Sequence, residues 1–181
     1  MKTLKSWSLL LAVVVVGALL GCSTISKSPD VSASARTALD QAGLKDVSVS
    51  QDRDKGVVTL GGHVATDNDK AQAESIIKSI AGSQVVANQI AVITPGAESA
   101  AKDMNTDLDK GIESNLDAAL IQAKLHTNVK FSVKNHVVTL TGEVHSQANR
   151  ARAEQVAAGV PNVQQVVNEL QVKDQKATSG N

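Results

Sequence analysis

The sequence predicts an α+β fold: two tandem copies of one αββαβ unit, each a three-stranded mixed sheet carrying two helices. Three observations predict it. Residues 57–92 align without a gap on residues 137–172 at an offset of 80, so that "VVTLGGHV" falls on "VVTLTGEV". Repetition of this kind sets the architecture before any single element is considered. Beside that motif apolar residues alternate, the period of a strand with one buried face. Around it they recur at helical spacing, the period of a helix with one buried stripe.

The first helix of each unit follows from its stripe. Val31, Ala35, Ala38, Leu39 and Ala42 fall on Ile112, Leu116, Ala119, Leu120 and Ala123, now at an offset of 81. The spacing i, i+4, i+7, i+8, i+11 places each set on one face. Two strands come next. "VSVSQ" from Val47 and "VKFSV" from Val129 alternate, then pass through a polar turn into the repeated motif. The turn "DRDKG" is longer than "KNH", which absorbs the change of offset.

Within the motif, Val58, Leu60, Gly62 and Val64 share one strand face, as do Val138, Leu140, Gly142 and Val144. Gly62 and Gly142 therefore take a structural role on the core side. Glycine there admits a helix backbone at close range or permits a bulge. The opposite face varies between copies, with Gly61 against Thr141 and His63 against Glu143.

The second helix spans 67–80 and 147–160, with Ala73, Ile76, Ile77 and Ile80 matched by Ala153, Val156, Ala157 and Val160. "VVANQIAVI" and "VVNELQV" form the last strand. A strand–helix–strand crossover needs a parallel pair, so each sheet is mixed and both helices cover one face. Asn88 and Asn168 share the parity of core valines. A buried asparagine there is expected to bond the backbone at a strand irregularity rather than a ligand.

The chain divides accordingly. Residues 1–21 form a signal peptide: Lys2 and Lys5 precede a 12-residue apolar run, 9–20, too short to span a bilayer. Residues 22–29 are a tether, 30–93 the first unit, 94–109 a linker whose Ala-rich middle could form a short helix, 110–173 the second unit, and 174–181 a disordered tail. The apolar run ends in "LLGC", which resembles the lipobox of bacterial lipoproteins. The resemblance implies cleavage before Cys22 and acyl chains on it. Cys22 is the one cysteine in the chain, so it has no disulfide partner. Ser23 after it, by the same resemblance, implies sorting to the periplasmic face of the outer membrane in a Gram-negative host.

Composition narrows the function. Without Lys2 and Lys5 the chain holds 16 basic and 18 acidic residues, which gives no nucleic-acid signature. Phe131 is the one aromatic left after the signal, so stacking platforms for bases or sugars are absent. No catalytic motif is present, and His63, His126, His136 and His145 lack metal-ligand spacing. Neither an enzyme nor a metal or cofactor is expected, apart from the covalent lipid on Cys22.

The pattern V-x-L-x-G-x-V, an Ala-rich helix and "VNELQV" together resemble the BON domain (bacterial OsmY and nodulation). Val138, Leu140, Gly142, Val144, Val166, Asn168, Leu170 and Val172 carry the match in the second copy. Val58, Leu60, Gly62, Val64, Val86, Asn88, Ile90 and Val92 carry it in the first. Behind a lipobox, the pair resembles the dual-BON outer-membrane lipoproteins linked to phospholipid binding and envelope integrity. OsmY-type periplasmic stress proteins are the nearby alternative. The resemblance implies an envelope protein anchored to the membrane by its lipid, with anionic phospholipids or envelope assembly proteins as partners and no nucleic acid.

One asymmetry between the copies bears on a site. Ile121 lies about 180° from Ile112 on the helical wheel, on the back of the first helix of unit two. Lys110 and Lys124 lie within about 60° of it. The first-copy counterpart of Ile121 is Asp40. Residues 110–173 hold 7 basic and 5 acidic residues, against 6 and 8 in 30–93. An outward apolar residue flanked by lysines on a weakly basic unit suits an anionic membrane surface. In the proteins it resembles, lipid binding belongs to this domain and this helix, although no aromatic stands on it here. The alternative is that Ile121 packs on the linker or the other unit.

Overall fold

A computed structural model describes residues 27–173. The expected signal peptide, Cys22 and the expected tail lie outside the described residues. Unit one runs α1 (Ser32–Gln41), β1 (Val47–Asp52), β2 (Val57–Val64), α2 (Asp67–Ala81), β3 (Val85–Asn88) and β4 (Ala91–Val92). Unit two runs α3 (Glu98–Gln122), β5 (Val129–Lys134), β6 (Val137–Val144), α4 (Gln147–Ala158), β7 (Gln165–Asn168) and β8 (Gln171–Val172). In each unit the first strand pairs antiparallel with the second, and the second pairs parallel with the last. The α+β fold of two mixed sheets with their helices is therefore the one expected.

The hydrophobic stripes explain the packing. Ala35 and Leu39 of α1 meet Val58, Leu60 and Ile77 in one core. Ile112, Leu116 and Leu120 of α3 meet Val138, Leu140 and Ala157 in the other. Burying each Leu or Ile contributes about 1.5–3 kcal/mol. Capping fixes where the second helices start. Thr66 Oγ1 accepts from the Asp69 N–H at 3.1 Å, and Ser146 Oγ from the Asn149 N–H at 3.1 Å.

The last strand, expected continuous, is split in both units. Asn88 Oδ1 accepts from the Ile90 N–H at 3.3 Å, and Asn168 Oδ1 from the Leu170 N–H at 3.2 Å. Their Nδ2 groups donate to Glu74 at 2.8 Å and Glu154 at 2.9 Å on the helix above. Each asparagine thus replaces the ladder bonds that the break removes and turns Ile90 or Leu170 into the core.

Two other features differ from expectation. Residues 94–109 are expected to be a linker with at most a short helix in its middle; that helix is instead the first part of α3, which begins at Glu98 and runs without a break to Gln122. Pro95 and Gly96 precede it, and Ala100 and Ala101 favour it. The glycines of the motif also meet a different partner. Gly62 has φ +86° and Gly142 φ +117°. A Cβ there would collide with the backbone carbonyl of Asp46 or Asn128, at the entry to the neighbouring strand. The close approach is strand to strand, and not to the helix layer.

The two units meet through edge strands β3 and β7. Val57, Ala87, Val137 and Val167 form a small buried cluster between them. Gln165 Oε1 accepts from the Asn88 N–H at 2.9 Å and its Nε2 donates to the Val86 carbonyl at 2.7 Å. Two further contacts are reciprocal. From the hairpin turn of unit two, Asn135 Nδ2 donates to the Gln89 carbonyl at 2.7 Å. From the turn of unit one, Lys55 Nζ reaches Glu169 Oε2 at 2.6 Å. Gln89 and Glu169 are equivalent at the offset of 80, so the seam has an approximate two-fold character.

Candidate contact surface on the second unit

The candidate site lies at the C-terminal end of α3. Ile121 is 54% exposed and covered by neither the linker nor the other unit. Lys110 and Lys124 are also exposed. Lys110 Nζ stands 3.4 Å from Asp107 Oδ1, one turn back on α3, and His126 Nε2 stands 3.0 Å from Asp117 Oδ1. Sequence reasoning passed over these carboxylates. At 100° per residue, Asp107 and Asp117 fall within about 40° of Ile121. At 1.5 Å per residue Asp117 is one turn from Ile121, whereas Lys110 and Asp107 stand about 16 and about 21 Å down the helix, so the near charges of the apolar residue are Lys124 and Asp117.

Lys124 carries a further signal. It follows the helix cap Ala123 in the left-handed region, φ 60°, with its N–H donating to the Ile121 carbonyl at 3.0 Å. Leu125 N–H closes the turn on the Leu120 carbonyl at 2.9 Å. The equivalent residue of unit one is Gly43, φ +81°. Glycine adopts this conformation freely, whereas a side chain costs about 1–2 kcal/mol. Unit two thus holds a lysine where the geometry favours glycine. The signal was present in the sequence, since an offset of 81 sets Gly43 against Lys124.

Among the described residues three other large apolar side chains are exposed. Met104 and Leu108 share an outer stripe on the N-terminal half of α3, about 100–140° round from Ile121. Val85 lies beside the seam. Of the histidines, His145 stands 3.3 Å from the Asn128 amide, and His136 belongs to the β5–β6 turn. Among the described residues no cluster of three or more His, Cys, Asp or Glu could hold a metal ion. Among them, too, no helix is long and apolar enough to cross a membrane.

Three shifted groups lie at or near the seam. The Glu169 carboxylate bonded to Lys55 raises the Lys55 amine above its ordinary value, against a smaller effect of burial. Lys70, half-buried on α2, is pushed down by loss of water, only partly offset by Asp67 and Glu74. Burial pushes Glu74 up, but hydrogen bonds from Asn88 and Lys78 outweigh it and leave the carboxyl below its usual range.

Comparison with known proteins places this geometry. The BON domain profile matches residues 29–94 and 108–174. Osmotically-inducible protein Y of Escherichia coli (strain K12) is 32% identical over 146 residues, covering 79% of this chain and 71% of that protein. Among solved structures, the C-terminal domain of CdsD, the structural protein of the type III secretion system of Chlamydia trachomatis, is similar at 14% identity and a TM-score of 0.34. That likeness covers 80% of this chain and 98% of the other, and at such values it carries no argument about function.

Proposed function

The chain belongs to the BON domain family, with two domains in tandem, and on that premise we propose that it is a non-enzymatic protein of the bacterial cell envelope that supports envelope integrity under osmotic or membrane stress. The likeness to Osmotically-inducible protein Y supports the stress connection. Acyl chains on Cys22 hold it at the periplasmic face of the outer membrane, since several chains anchor stably where one does not. From that anchor the second domain contacts anionic phospholipid headgroups through Ile121, Lys124 and Lys110.

The observation that carries the lipid contact is Lys124 beside exposed Ile121. A lysine kept in a left-handed position, one turn from an outward isoleucine, accepts backbone strain in return for a charge at that point. Flotation of the unacylated mature chain with vesicles tests it. Binding is expected to anionic vesicles, to weaken with salt, and to fall on Ile121→Asp. Equal binding to neutral and anionic vesicles, or an unaffected Ile121→Asp variant, sinks the lipid contact.

The acidic residues on the Ile121 face of α3 favour a second reading. With Asp117 beside His126 and Lys124 one turn on, and with Lys110 paired to Asp107 further down the same helix, this face also suits a protein partner with charges of both signs. On this reading an envelope assembly protein is captured by crosslinking through residue 121, whatever the lipid composition.

A further inference from the structure

Two hollows adjoin beneath the N-terminal half of α3, where the domains meet. The larger, about 390 Å³, is lined by Ala91, Ile93, Lys102, Thr106, Lys134 and His63, with Asp109 in its wall. The smaller, about 170 Å³, is lined by Lys70, His136, Gln164 and Asp67 together with the buried Ile90. Ala91, Asn105 and Asn135 stand in the walls of both. Domain junctions are where small-molecule pockets form, and about 300–1,000 Å³ is their usual size.

The chemistry of the two hollows differs. In the larger, Ala91, Ile93, the Thr106 methyl and the stems of Lys102 and Lys134 offer apolar surface. The exposed lysine ammonium groups can remain in water. The Asp109 carboxylate is already committed: its two oxygens accept from the Asn135 N–H at 2.8 Å and the His136 N–H at 2.9 Å. In the smaller hollow, half-buried Lys70 bonds the neutral Gln164 Oε1 at 3.2 Å. Glu74 is engaged by Asn88 and Lys78, and Asp67 only partly offsets the ammonium's loss of water. His136 Nε2 is buried with no hydrogen-bond partner among the described residues. A desolvated cation favours an added oxyanion, and the unpartnered imidazole nitrogen can donate to it in the Nε2–H form.

We propose that this cleft binds a small anionic amphiphile, a carboxylate with a short acyl chain, its chain in the larger hollow and its carboxylate facing Lys70 and His136. The site is separate from the Ile121 surface. It also gives the helical linker a role, because Lys102, Asn105, Thr106 and Asp109 project from consecutive turns of α3 to form one wall.

Titration of sodium octanoate into the full chain, followed by NMR, tests the proposal. Saturable shifts are expected in the side-chain amides of Asn105, Asn135 and Gln164 and in the His136 ring. Lys70→Gln is expected to weaken binding about tenfold, as loss of one charge-assisted contact does. Thr106→Trp fills the larger hollow and is expected to abolish binding while the Gln165 amide still reports an intact seam. Ile121→Asp is expected to leave octanoate affinity unchanged, which separates this site from the membrane contact. Absence of saturable shifts overturns the proposal. Equal binding of octyl glucoside overturns the requirement for an anion, and equal binding of acetate overturns the acyl chain.

Discussion

Gly142 and Lys124 both occupy the left-handed region, and they make opposite predictions. Gly142 combines φ +117° with the Asn128 carbonyl where a Cβ would stand. Gly142→Ala is expected to destabilise by about 2 kcal/mol or more, measured by urea unfolding, because strain and collision add. A loss below about 0.5 kcal/mol would contradict the close approach. Lys124 has no collision to relieve, only strain. Lys124→Gly is expected to stabilise by about 1 kcal/mol while weakening any contact that uses the charge. The glycines were legible in the sequence as structural, since both copies keep them while their neighbours change. Their partner was not legible. Strand parity assigns a face, but it cannot register a positive φ that turns the residue out of that parity.

At the scale of elements, periodicity located α1, α2 and α4 and the three-strand order of each sheet. Two features escaped it for a common reason. The breaks at Asn88 and Asn168 depend on side chain to backbone bonds, which leave no mark on hydrophobic period. The continuity of α3 was hidden because the core stripe begins only at Ile112, and the apolar residues before it, Met104 and Leu108, are exposed. Gly111, exposed in mid-helix with open space around its missing Cβ, tests that continuity. Gly111→Ala is expected to stabilise by up to about 1 kcal/mol; no gain would place a helix break there. The α2–β3 contact has a pH signature. Hydrogen bonds to Glu74 outweigh burial and hold its carboxyl below the ordinary 4.5. The stabilisation is therefore complete above that value and disappears as pH falls through the lower folded-state value. Glu74→Gln is expected to flatten the fall in thermal stability below about pH 4.5 relative to the unchanged chain. An unchanged acid slope would show that Glu74 does not contribute to it.

For the whole molecule, the repeat explains why two units stay together. Each sheet has a free edge on the side of its last strand, and an uncovered edge invites pairing with other chains. The seam sets the two last-strand edges against each other, with the Gln165 side chain bonding the β3 backbone and buried valines between the strands. A unit of about 60 residues buries little on its own and is marginally stable, so the seam should couple the stability of one domain to the other. Gln165 is the centre of this coupling, because one amide satisfies both the Asn88 N–H and the Val86 carbonyl. Its first-copy equivalent is the exposed Val85, so the two-fold relation fails at this point and the bonding there runs from domain two to domain one. Removing the amide leaves two edge groups unpaired, at about 1–3 kcal/mol for a buried group, and removing Lys55 leaves Glu169 without its cation. The unchanged chain is expected to unfold in one transition, with amide exchange in both cores protected to the same free energy. In the Gln165→Ala, Lys55→Ala double variant the two cores are expected to part, so that Leu60 and Leu140 report different opening free energies. If they remain equal in that variant, the domains are coupled through α3 and the buried valines, and the polar contacts only align them.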